Sequence, residues 1–199
     1  MRRPPKFFLP PSGPGYSVTF MHVEISEEAS PSRSVRDEDH YNLSIDAGAM
    51  EKIAPARIHA PLRNLLTHLN AKDSLFSTFA SKVWNTSDGD GNEASVFGSR
   101  VDVIFLREDA NFGIGPHEEL AKRLSELLAR EPGSALRVGL QVLGAQFGGN
   151  QGFCLRISLE ARGATPEQAQ LRWGLGLARV QQALLFVARG LRHEPGVAD

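Results

Sequence analysis

The chain has a single cysteine, Cys154, among its 199 residues. One thiol excludes an internal disulfide framework and any zinc site built from several thiolates. In the alternating pattern around it, a buried and inert thiol is expected. An excess of charge of one sign is also missing. The 22 Lys plus Arg stand against 23 Asp plus Glu, a formal net charge of −1. A near-neutral total gives no global attraction for nucleic acid or anionic lipid and leaves only local patches. No uninterrupted apolar run approaches the roughly 20 residues of a membrane span. The start sets only Phe7, Phe8 and Leu9 between prolines, far short of a secretory apolar region. A cytoplasmic protein is expected, and the excess of Arg over Lys fits a GC-rich bacterial genome.

Signatures of catalysis and nucleotide binding are missing too. The Gly148–Gly152 segment has neither the Walker pattern nor the dinucleotide fingerprint, and it leads into a strand, so the helix-dipole cradle for phosphate is lacking. There is no Gly-x-Ser-x-Gly elbow, and Cys154 has no His partner at an arguable spacing. Asp88 to Glu93 starts like a calcium loop, but the sixth position is Glu93 where Gly is needed, and the twelfth is Ser99 where Glu is needed. It reads as a polar turn. Arg36 to His40 reads as a solvated charge run, and His59 and His68 lack metal-ligand spacing. His117, Glu118 and Glu119 project in different directions from a helix start and read as an acidic first turn complementing the helix dipole. No catalytic, cofactor-binding or metal-ligating residue is assigned. An enzyme with catalytic residues scattered through the fold would escape such a scan.

What is present is pattern. Residues 1–15 hold five prolines and two glycines and read as a flexible arm. Residues 16–193 read as one α+β domain and 194–199 as a flexible tail. Tyr16 to Ser26 alternates as a strand, Glu27 to His40 is a polar loop, and 43–53 admits a short helix. Pro61 opens a helix carrying Leu62, Leu65, Leu66 and Leu69. A second helix is expected from about Asp73, with Leu75, Phe76, Phe79, Ala80, Val83 and Trp84 on its face. Ser95 to Arg107 reads as a strand buried on both faces, and Pro116 to Arg130 as a helix. Leu136 to Val142 and Phe153 to Leu159 alternate as a hairpin pair joined through the glycines. The resulting β-α-β-β-α order predicts a ferredoxin-like, split-βαβ, mainly antiparallel sheet, with the N-terminal strand as an extra member.

The strongest pattern is the last. Thr165-Pro166-Glu167-Gln168 supplies an N-cap, a proline at the first helical position and an acidic first turn. From there Trp173, Leu177, Val180, Leu184, Val187 and Leu191 follow at spacings of four, three, four, three and four, one stripe of a helix about 40 Å long. Leu171, Leu175, Ala178, Leu185 and Phe186 widen the apolar arc beyond a coiled-coil seam. The surplus apolar arc is expected either to pack on the Leu62–Leu69 and Leu75–Trp84 helices of the same chain or, where the C-terminal end outruns its sheet, to present Leu184, Leu185, Val187 and Leu191 to a protein partner or a second copy. The expected function is therefore a non-catalytic interaction or assembly subunit, with the arm and the 27–40 loop as further contact segments. The alternative is a small-ligand-binding protein or enzyme with a site beside the sheet, using His22, Glu24 or His117. An RNA-binding sheet built on Phe105, Phe147 and Phe153 with Arg100, Arg107, Arg137, Arg156 and Arg162 comes third.

Overall fold

The computed structural model describes residues 22–23, 50, 52–87, 95–129, 136–147 and 149–192. The arm at 1–15, the charged 27–40 loop, Glu24, the polar turn at 88–92 and the tail at 194–199 lie outside the described residues. In chain order the elements are β1 (His22–Val23), α1 (Ala54–Ile58), α2 (Ala60–Leu69), β2 (Phe76–Ser87), β3 (Ser95–Phe105), α3 (Ile114–Leu128), β4 (Leu136–Phe147), β5 (Asn150–Gly163) and α4 (Pro166–Arg192). The strands form one sheet in the order β1-β4-β5-β3-β2.

β5 runs antiparallel to both β4 and β3, so those two are parallel, with β5 between them and α3 connecting them. This is the split β-α-β arrangement that the alternating patterns predict, and the fold is α+β. The strand beside β3 departs from the expected order: it is β2, from the N-terminal side, where a ferredoxin-like order has a strand after the last helix. β1 does join the sheet, in parallel with β4 through His22 opposite Gly139 and Val23 opposite Leu140. The β4–β5 hairpin closes between Phe147 and Asn150, with Gly149 at φ +87°, a left-handed conformation that glycine adopts without cost.

The helix expected over Leu75 to Trp84 is instead the edge strand β2. Its register against β3 slips between Thr78 and Ala80. Phe76 and Thr78 face one side of the sheet, Phe79 and Ala80 turn to the other, and Ser81 and Val83 return to the first. The extra residue of this bulge shifts the alternation by one, which gives a period-2 strand the spacing of a helix face. The β-branched and aromatic residues Phe76, Thr78, Phe79, Val83, Trp84 and Thr86 favour the extended form. Asn70, just after α2, fixes the approach to this strand. Its carboxamide accepts from the Ser77 hydroxyl and the Thr78 N–H, and donates to the Thr78 hydroxyl and the Leu66 carbonyl.

The main core lies on one face of the sheet, between Val101, Val103, Leu140, Val142, Leu155, Ile157 and Leu159 of the strands and the apolar faces of α2, α3 and α4. On the opposite face the sheet curls. The rings of Phe79 in β2 and Phe147 in β4 have centroids 5.2 Å apart, although two strands separate theirs, a spacing of about 14 Å in a flat sheet. Ile104, Ala145 and Cys154 fill the concavity.

α4 binds the layers together. Trp173 is fully buried, with its indole N–H donating to the Ser99 hydroxyl of β3 at 2.9 Å and its ring against Phe97 and His59. Gly176 lets the helix approach the sheet, since a Cβ there would lie 2.9 Å from a Leu159 methyl. Replacing Trp173 by Phe keeps most of the packing and strands the Ser99 hydroxyl, so Trp173→Phe loses about 1–3 kcal/mol in urea unfolding. Adding Ser99→Ala to that variant recovers part of the loss, because no buried hydroxyl is then left unpaired.

Candidate functional site

An α-helix turns about 100° per residue, so positions three, four and seven apart share a face. In α4 that rule separates two apolar faces. The seam of Trp173, Leu177, Val180, Leu184 and Val187 is buried against the sheet and neighbouring helices, together with Ala169, Gly176, Ala183 and Ala188. About 180° away, Leu171 is 66% exposed, Leu175 58%, Leu185 39% and Phe186 65%, with exposed Ala178 between them. Glu167 and Arg189, both exposed, sit at the two ends of this outer stripe, and Gln182 interrupts it. From Leu171 to Phe186 the stripe runs for roughly 22 Å.

The local sequence builds this helix firmly. The Thr165 hydroxyl caps the helix by accepting from the Gln168 N–H, and the Gln168 side chain reaches back to accept from the Ala164 N–H, one residue before the cap. The Glu167 carboxyl is held below the ordinary range by hydrogen bonds to its own backbone and to Thr165. At the far end, Arg192 donates to the Asp73 carbonyl beyond α2. Near the first end, Gly174 lets the Pro61 ring of α2 come close, since a Cβ there would lie 3.1 Å from it, and beside this contact is a shallow depression of about 490 Å³ lined by Pro61, Glu167, Gln170, Leu171 and Trp173.

The four interface residues expected from the sequence divide. Leu185 is on the surface. Leu184 and Val187 are buried, and Leu191 packs partly buried against the core. The C-terminal half of α4 does not overhang an uncovered sheet, because α2 and α3 pack against it. An aspartate at position 184 would put a carboxylate into the core and unfold the domain before it reported on any interface. The stripe that faces outward is the one that had only widened the arc: Leu171, Leu175, Ala178, Leu185 and Phe186. Sequence spacing alone finds both stripes. Which one the sheet claims follows from the tertiary contacts of Trp173.

His22 lies in β1 and His117 in α3, while Glu24 is outside the described residues. Among the described residues no three His, Cys, Asp or Glu side chains come together as a metal site. His68 is exposed and bonded to the Asn64 carbonyl, and His59 packs edge-on against Phe97 and Trp173. Phe105 and Phe153 pack on the helix-side core, and Phe147 against Phe79 and Phe112, so they form no exposed row on which bases stack. Arg156 is committed to a two-bond ion pair with fully buried Asp102, at 2.7 and 2.8 Å, and that carboxylate raises the arginine's pKa. Cys154 is wholly buried, and burial and the nearby Asp102 push its thiol up to about 12.

His117 corrects the expectation of an acidic first turn. α3 begins at Ile114, two residues before Pro116, so Glu118 and Glu119 lie beyond its first turn, and His117 shares the buried face of Leu120 and Leu124 with its ring against Phe105 at 5.1 Å. Neither ring nitrogen has a hydrogen-bond partner among the described residues. Burial lowers its pKa from 6.5 to about 4. The folded protein thus keeps the ring neutral where the unfolded chain takes up a proton. Stability is full above pH 6.5 and falls progressively as the pH drops toward 4, by about 3 kcal/mol in all. His117→Leu should flatten this acid limb of the stability curve, measured by urea unfolding between pH 4 and 7, without loss at neutral pH. Compared with known protein families, curated proteins and solved structures, the chain matches none.

Proposed function

We propose that this protein is a non-catalytic interaction or assembly subunit that docks a protein partner on the outer stripe of α4. One observation carries the reading: four large apolar side chains stand in line on the solvent side of a helix whose opposite side already completes the core. Single exposed apolar residues are ordinary on protein surfaces, whereas two pairs of large ones on the same side of one helix, Leu171 with Leu175 and Leu185 with Phe186, are a mark of association. The stripe also lies on a rigid element that is capped at its start and anchored through Trp173, so docking costs little ordering entropy.

The sequence alternatives receive less support, because His117, Phe105, Phe147 and Phe153 are packed within the domain and Arg156 is paired with Asp102. No helix among the described residues is long and apolar enough to cross a membrane.

Phe186→Asp combined with Leu171→Asp tests the reading. Both side chains are exposed, so circular dichroism and the unfolding midpoint should stay close to wild type. Binding should be lost, read as a drop in hydrodynamic mass or as the disappearance of proteins captured from the native host. A wild type that is monomeric and captures the same proteins as the double variant sinks the proposal.

A further inference from the structure

The outer stripe of α4 is self-complementary, and we infer that its occupant is a second copy of this chain, packed antiparallel about a two-fold axis at Ala178. This rests on the reading of α4 as a docking face and names the partner. The evidence is the symmetry of the stripe itself. Glu167 lies eleven residues before Ala178, and Arg189 lies eleven residues after it. Leu171 and Leu185 stand seven residues to either side. An antiparallel helix pair sets each residue opposite the one equally far from the axis in the other copy. Glu167 of one copy therefore meets Arg189 of the other, at both ends, and Leu171 meets Leu185 twice. The small Ala178 sits where the two backbones come nearest.

Phe186 lies about 80° around the helix from Ala178, so it stands on the flank of this line and adds exposed apolar surface beside it. The partner is thus recognised by the apolar contacts along the line and by charge at its ends. A contact confined to one face of one helix is at the small end of specific interfaces, as suits a reversible dimer.

Sedimentation equilibrium of the full chain reads this directly. Wild type should pass from monomer to dimer over roughly 1–100 µM, and Leu171→Ala should weaken that association about tenfold, because Leu171 of each copy meets Leu185 of the other. Glu167→Arg and Arg189→Glu, both at exposed positions, should each weaken self-association about tenfold by setting like charges opposite one another twice. Mixed together, the two single variants should recover dimers, because the hybrid restores both opposite-charge contacts. A wild type that stays monomeric up to about 1 mM overturns the inference. So does a dimer that the charge reversals leave unchanged, or whose single variants fail to pair with each other. If wild type is monomeric but Leu171→Asp abolishes capture of a host protein, the docking role of α4 stands with a different occupant. If that capture also persists, both fall together.

Discussion

Everything in this fold leans on the seating of Trp173. Its indole fills the space between β3, the start of α4 and the junction of α1 with α2, and its one polar atom is satisfied by Ser99. Burying so large a ring with its N–H paired gains apolar contact area without a desolvation penalty. The seating also fixes the rotation of α4. Once position 173 points into the core, the positions seven and eleven residues further on must follow it. Those offset by half a turn must face water. The outer stripe is thus a geometric consequence of the core, set by a residue that takes no part in it.

The sheet supplies the matching surface through β5. Its central place between β3 and β4 buries Leu155, Ile157 and Leu159 on the helix side and Cys154 on the other. The curl that brings Phe79 to Phe147 gives the second face a small core of its own, and the Asp102–Arg156 pair borders it. A buried ion pair contributes little net stability against an apolar substitute, yet losing one partner is costly. Its effect here is to fix the pairing of β3 with β5, since Asp102 and Arg156 are directly opposite in register.

Much of this architecture was legible in the sequence. The capped C-terminal helix, the helix over Leu62 to Leu69, the doubly buried strand β3 and the glycine hairpin all come from local signals that tertiary structure did not override. β2 was not legible, because a bulge at Phe79 imposes on a strand the spacing of a helix, and periodicity cannot tell the two apart over twelve residues. His117 was misread although its spacing of three and seven from Leu120 and Leu124 sets it on the apolar face of α3, because its polar neighbours Glu118 and Glu119 drew the reading. For α4 the sequence revealed both apolar stripes but not which one met the core. That choice depends on Ser99 and Phe97, more than seventy residues away in the chain.

The sealing of Cys154 bears on how motion in this domain is seen. It is the chain's one thiol, it has no solvent-accessible surface, and its environment keeps it protonated. A thiol reagent can reach it only when β5 parts from its neighbours or the curl over Ala145 and Phe79 opens. The native molecule therefore carries a built-in clock at the centre of its sheet. The rate at which that sulfur reacts measures how often the middle of the fold comes apart, with no background from any other site.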